Sequence, residues 1–173
     1  MTPHGNPTPT IEQLIAIEAC REAARRYSYG IDRLDGETMK SAYWPDAIDD
    51  HGTYVGNAWV FCDRVVSSHA RWTFTMHSIS NHRVEVDTDG LHARGEMHSV
   101  VHLFEENERR LATWYGRYLD LYERRAGEWR IQHRVCVHHG NTSEHVPETM
   151  PIDATAFRQG SFDRPANQRP IGP

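Results

Sequence analysis

Apolar positions recur with helical spacing in the first third of the chain and with strand spacing after it. Ile11, Leu14, Ile15, Ala19, Ala23, Tyr27, Ile31 and Leu34 stand about one helical turn apart, the signature of a single apolar helix face. Thr10 precedes this stripe as an N-cap, and Gln13 three residues on completes a capping-box pattern. The spacing predicts a helix to about Leu34, with Gly36 as its stop signal. A shorter helix is predicted over residues 37–43, ended by Pro45, which has no N–H to continue the ladder. Residues 47–54 read as a short strand with a turn at Gly52. Residues 57–72 read as a third helix, with Trp59, Cys62, Val65, Val66 and His69 on one face.

From Phe74 the period is two. Residues 74–86 form a long strand that closes on the turn Asp87-Thr88-Asp89-Gly90, and residues 91–104 are its hairpin partner. Strands over 111–124 and 129–138 follow, separated by the turn Arg125-Ala126-Gly127. Three N-terminal helices and then a meander predict an α+β fold, with the helices packed on one face of a curved, mostly antiparallel sheet. Such a sheet wrapped around a long helix makes a cone with an apolar pocket inside. Residues 1–10, with three prolines and a glycine, are expected to be a flexible leader, and 11–139 the domain. Residues 140–173 are expected to be a polar tail that docks at a subunit interface through Met150, Ile152, Phe157 and Phe162.

Composition narrows the classes. The chain has 173 residues, 38% of them hydrophobic and 25% charged, which suits one domain with a core that needs no staples. The net charge of −5 gives no electrostatic reason to seek nucleic acid or an anionic membrane. No apolar run approaches the roughly 20 residues of a membrane span, and the N-terminus lacks the basic and apolar segments of a secretory signal. The expected setting is cytoplasmic. Cys20, Cys62 and Cys136 are scattered and read as buried, reduced thiols. Glycine-rich phosphate loops and a Gly-x-Ser-x-Gly elbow are absent. The 12 histidines are the compositional oddity and make metal binding the obvious rival. His98 and His102 share a strand face, but no H-x-x-x-H or H-E-x-x-H lies on a predicted helix and no Cys pair completes a zinc set. Neither metal nor cofactor is expected.

Four motifs carry candidate chemistry: Tyr27-x-Tyr29-Gly-Ile-Asp32-x-x-Asp35; Trp44-Pro-Asp46-Ala47 followed by Gly52-x-Tyr54-x-Gly56; His77-Ser-Ile-Ser-Asn81; and Trp129-Arg-Ile-Gln-His133-Arg134. In this order and spacing they resemble the SnoaL-like branch of the NTF2-like superfamily, over residues 11–138. That branch includes scytalone dehydratase, hexachlorocyclohexane dehydrochlorinase and bile-acid 7α-dehydratase. The resemblance implies a catalytic dyad of His77 and Asp32, with contributions in some members from residues matching Tyr27, His98 and Arg134. Tyr29, a near helical neighbour of Asp32, together with Trp44, Tyr54, Asn81 and Trp114, is expected to line the substrate pocket.

The physical case stands beside the resemblance. Imidazole exchanges protons near neutral pH, and a carboxylate on one ring nitrogen fixes the tautomer and supports the imidazolium that forms. The expected activity is therefore a cofactor-independent acid–base lyase, a dehydratase, dehydrohalogenase or retro-aldol lyase, acting on a small hydrophobic, aromatic or polycyclic compound. A ketosteroid-isomerase-like isomerase, the non-catalytic small subunit of a Rieske aromatic-ring dioxygenase, and a ligand-binding module without turnover stay open. So do ordinary roles for the residues themselves: His77 and Tyr27 as core, Asp32 as a helix end, Arg134 as an ion-pair partner. The resemblance further implies a homotrimer. The strand pattern gives it a reason, because Trp114, Tyr118 and Tyr122 lie on one phase and Tyr115, Leu119 and Leu121 on the other, and helices cover only one face.

Overall fold

A computed structural model of the chain describes residues 8–147, 150–157 and 162. Helices α1 (Ile11–Ile31), α2 (Gly36–Ser41) and α3 (Ala58–His69) interleave with strands β1 (Tyr43–Asp50) and β2 (Val55–Asn57). Four long strands follow: β3 (Phe74–Val86), β4 (His92–Glu105), β5 (Arg110–Arg125) and β6 (Glu128–His145). They form one six-stranded sheet in the order β2-β1-β6-β5-β4-β3. Every pairing is antiparallel except β1 with β6. The architecture is the expected α+β cone, with the helices against the concave face of a curved sheet. None of the described helices is long and apolar enough to cross a membrane.

Local chemistry sets the boundaries. Thr10 and Gln13 form the reciprocal capping box that starts α1. The helix stops at Ile31, earlier than the stripe suggests. Asp32 is its C-cap, and Leu34 rather than Gly36 takes the left-handed conformation (φ 50°) that turns the chain. Asp35 then caps α2 through the Thr38 amide. Helix α2 ends at Ser41 because the chain joins the sheet at Tyr43, opposite Ile131. Pro45 lies inside β1, where the β1–β6 register shifts between Tyr43 and Ile48 and a missing donor is tolerated. The last strand is longer than expected: residues 140–145 pair with β5 as far as His145 opposite Arg110, so the tail begins later. Residues 1–7 of the expected leader, and 148–149, 158–161 and 163–173 of the tail, lie outside the described residues.

Burial on α1 begins at Ala16 and continues through Cys20, Ala23, Ala24, Tyr27 and Ile31, a mostly small-residue face that lets the helix lie close to β3 and β6. Ile11, Leu14 and Ile15, expected on the core face, are instead 71%, 51% and 65% exposed. The three thiols are free, and burial pushes each up to about 12, which removes them as nucleophiles near neutral pH.

Bulges decide which strand residues face inward. Two residues of β6 oppose one step of β5 near Gln132 and again near His139. Each insertion swaps the phase of the strand residues beyond it. Trp129 and Ile131 are buried, but beyond the first bulge the buried position is Arg134, while His133, Val135 and Val137 lie on the outer side with the β5 residues Leu119 and Leu121. The result is an arginine with no exposed side-chain surface in the floor of the cone. Its Nε and Nη2 donate to the two carboxylate oxygens of Asp120, each at 2.7 Å, and Tyr122 donates to the same carboxylate at 2.7 Å. The guanidinium lies 4.5 Å from the Tyr27 ring centre and 4.4 Å from that of Tyr118. Removing one partner of such a pair leaves a buried charge uncompensated. Arg134→Met is therefore expected to lower unfolding free energy by about 3–5 kcal/mol in urea titrations, and pairing it with Asp120→Leu to recover most of that loss. A single-variant loss below about 1 kcal/mol, the range of an exposed ion pair, contradicts this view of the floor.

Candidate active site

The end of α1 and the start of β3 meet at Asp32. One carboxylate oxygen accepts from the backbone N–H of His77 at 2.8 Å; the other accepts from the Thr75 hydroxyl at 3.0 Å and from the His77 ring at Nδ1, 2.7 Å away. A carboxylate can only accept, so Nδ1 carries a proton, and in the neutral ring the lone pair is on Nε2. The His77 side chain is 5% exposed. Its ring opens onto a cavity of about 230 Å³ inside the cone. The wall is largely apolar, with Ile31, Phe61, Val65, Val101, Leu103 and Trp114 contributing from helices and sheet.

Tyr27, five residues before Asp32 on α1, lines this cavity. Burial holds its phenol well above the usual range, so it stays protonated and can donate. Trp114 also lines it, stacked on Tyr118 with ring centres 6.1 Å apart. Gly116 makes room for that indole: a Cβ there would come within 2.1 Å of the Trp114 ring and 2.3 Å of the Val137 carbonyl oxygen.

Other expected site residues stand elsewhere. His98 lies on the outer face of β4, exposed, because its neighbours Met97 and Ser99 take the buried phase. Asn81 is exposed too. It sits at the bulge between Ser80 and Arg83 in the left-handed conformation (φ 51°), which asparagine tolerates, and its side chain lies 3.4 Å from His98. The bulge thus undoes the even spacing that would have put Asn81 on the face of His77. Tyr29 is 41% exposed under the guanidinium of Arg33, although it is a near helical neighbour of Asp32. Trp44 lies at the sheet edge, where its indole donates to the Glu123 carbonyl between Arg125 and Arg130. Tyr54 packs behind Phe61 and donates to the Asn57 carbonyl. Arg134 lies beneath Tyr27 and Tyr118 and does not line the cavity. Among the described residues, no group of three or more His, Cys, Asp or Glu could hold a metal ion.

Two cavity histidines were missed by sequence reasoning. His69 ends α3 with its ring 6.4 Å from that of His77. His51 follows β1, lines the cavity, and stacks on Phe61 with ring centres 4.2 Å apart. The histidine count was the available signal, together with Asp49-x-His51, a pair two residues apart and so on one strand face. A larger depression of about 440 Å³ lies on the outer face of the sheet, among Arg83, Arg94, Leu119, Leu121 and His133. It presents one imidazole and no carboxylate bonded to it.

A model of the SnoaL-like domain family matches residues 12–135. No protein of curated function matches the sequence. Among solved structures, the chain is similar to the type-3 hexachlorocyclohexane dehydrochlorinase of Novosphingobium barchaimii: 18% identity, 82% of this chain and 99% of that one, TM-score 0.72. It is also similar to a protein of Novosphingobium aromaticivorans provisionally assigned as a scytalone dehydratase: 19% identity, 82% and 96% coverage, TM-score 0.69. A Mycobacterium tuberculosis protein of unknown function, solved as an aspartate-to-asparagine variant, shares 26% identity over 78% of each chain, with TM-score 0.66.

Burial also shapes the protein's response to acid. His69 is lowered from 6.5 to about 4, first by burial and then by His77 and Arg71. His82, against Tyr122, is lowered to about 4, again chiefly by burial. Between these values the unfolded chain binds more protons than the folded one, so stability rises with pH there. The stabilising contribution is complete above about 6.5 and is lost as pH falls towards about 4. Melting temperature is expected to drop across that window, and His69→Gln with His82→Gln to flatten the slope. A slope unchanged in the double variant contradicts the assignment to these rings.

Proposed function

The chain belongs to the SnoaL-like domain family, and on that premise we propose that it is a cofactor-independent lyase in which His77 takes a proton from carbon. The observation that carries this reading is the His77–Asp32 hydrogen bond of 2.7 Å, set in the wall of an otherwise largely apolar cavity. Asp32 holds the ring so that the lone pair of Nε2 meets the ligand. The C–H electron pair then forms a double bond as the leaving group departs from the neighbouring atom. General base catalysis of this kind supplies about 10²–10⁴-fold in rate, enough for a proton already acidified by a carbonyl or an aromatic ring.

Cavity size favours a single ring. An apolar cavity of about 150 Å³ holds benzene, so 230 Å³ suits one ring with short substituents rather than a fused polycycle. That weighs against the ketosteroid-type isomerase. A non-catalytic subunit has no use for a carboxylate-held imidazole on its pocket wall. The dehydratase and dehydrochlorinase among the solved structures support elimination as the reaction class. Tyr27 and Trp114 would position the ring, and Arg134 would hold Tyr27 and Tyr118 in place from below. We further propose that the chain acts as a homotrimer. Tyr115, Leu119 and Leu121 stand 42%, 36% and 46% exposed on the outer sheet face, flanking the Arg117–Glu96 ion pair, a mixed surface suited to a second copy.

Both proposals have direct tests. Ring opening of 5-nitrobenzisoxazole requires one proton abstraction from carbon and releases a coloured phenoxide. The wild-type chain is expected to accelerate it, and His77→Ala to lower the rate by at least about 10²-fold with the fold intact. Asp32→Asn is expected to give a comparable loss through the wrong tautomer. Equal rates for wild type and His77→Ala contradict the base. Light scattering at micromolar concentration is expected to give three times the 20.0 kDa chain mass. A monomer contradicts the interface, and a dimer contradicts the trimer.

A further inference from the structure

The cavity holds a second carboxylate-backed imidazole. Asp49 has no exposed side-chain surface and accepts a hydrogen bond from the Tyr43 hydroxyl at 2.7 Å. Its other oxygen makes a short contact with Nδ1 of His51. By the same argument as for His77, Nδ1 of His51 carries a proton directed at the carboxylate, and Nε2 is turned away from it. That Nε2 lies 3.4 Å from the Tyr27 hydroxyl, and His51 and Tyr27 both line the cavity. Phe61, stacked on the imidazole, fixes its plane. The two pairs come from different parts of the fold. His77–Asp32 joins β3 to the end of α1, whereas His51–Asp49 rides on β1 and the turn after it.

We infer that His51, held by Asp49 and assisted by the Tyr27 hydroxyl, is a second catalytic residue of this cavity: the general acid that protonates an oxygen leaving group. The inference rests on His77 acting as the base and deepens that reading. Two imidazoles, each fixed at Nδ1 and presenting Nε2 to one small cavity, suit a reaction that takes a proton at one atom and gives one at another. In the elimination, His77 Nε2 accepts the proton from carbon, the C–H pair becomes the C=C bond, and the C–O bond breaks with its pair on oxygen. His51, entering the step as the imidazolium, delivers its Nε2 proton to that oxygen, which leaves as water or an alcohol. The step ends with His77 protonated and His51 neutral, and proton exchange with solvent restores the start. Halide departs without a proton, so a second acid favours substrates whose leaving atom is oxygen. The substrate class becomes a single-ring compound carrying a hydroxyl or ether oxygen β to an acidified C–H.

A benzisoxazole series separates the two roles, because the same proton is removed in each member while the basicity of the departing phenoxide changes. The 5-nitro compound needs little help from an acid, the 5-chloro compound more, and the unsubstituted compound most. For His51→Gln, the expected loss grows along the series, from under about 3-fold for the 5-nitro compound to at least about 10-fold for the unsubstituted one. Asp49→Asn is expected to follow the same trend, and His77→Ala to reduce all members alike. Thermal melts of each variant establish folding, and if Asp49→Asn unfolds, His51→Gln decides alone. A loss for His51→Gln that is absent, or equal across the series, overturns the acid and leaves the base standing. Turnover that survives His77→Ala overturns the base assignment itself, and wild-type chain without turnover of any member overturns both.

Discussion

Asp32 is where the helix layer and the sheet layer are tied at the mouth of the cone. It is the C-cap of α1, and from that position its carboxylate accepts from the Thr75 hydroxyl, the His77 amide and the His77 ring. The backbone bond sets where β3 starts relative to the helix, and the ring bond sets where the imidazole points. Charge-assisted hydrogen bonds of this sort are stronger than neutral ones, and here one group holds both the strand and the ring. The left-handed turn at Leu34 and the cap at Asp35 matter for the same reason, since they end α1 at the residue whose side chain reaches the sheet.

Beneath that junction the cone has a polar floor. Arg134, Asp120 and Tyr122 form a buried, charge-balanced set, and Tyr27 and Tyr118 lie on the guanidinium. This arrangement keeps two cavity aromatics in fixed positions without placing the arginine in contact with a ligand. The residues above the floor are histidines and apolar side chains, and two of the three imidazoles are backed by carboxylates. A cavity built this way can move protons while keeping most of its wall dry.

Much of this was legible in the chain, and the parts that were not share a physical cause. Periodicity gave the three helices and the four long strands, because each buries one regular face: the capping box at Thr10 and the turn at Asp87–Gly90 marked their ends. The resemblance and the positions of Asp32 and His77 pointed to one pocket. Bulges are not visible in a period-two pattern, so the phase change near Gln132 hid the burial of Arg134, and the bulge at Asn81 made an outer residue look like an inner one. The parallel pairing of β1 with β6 depends on contacts across more than 80 residues, and it is what carries His51 to the cavity. No local signal in the sequence predicts such a pairing. The exposure of Ile11, Leu14 and Ile15 is likewise not visible in the helix period itself.

On the proposed function, Asp32 fixes the tautomer of His77 so that Nε2 faces the cavity as a base. Nitrogen-15 NMR of the imidazole rings, on the histidine-labelled chain at a pH where the ring is neutral and with His77→Gln to assign the signal, reads this directly. The expected result is a protonated Nδ1 and an unprotonated Nε2 for His77, with that preference weakened or reversed in Asp32→Asn. A His77 ring protonated at Nε2 in the wild-type chain, or one whose tautomer ignores the loss of the Asp32 charge, would contradict it.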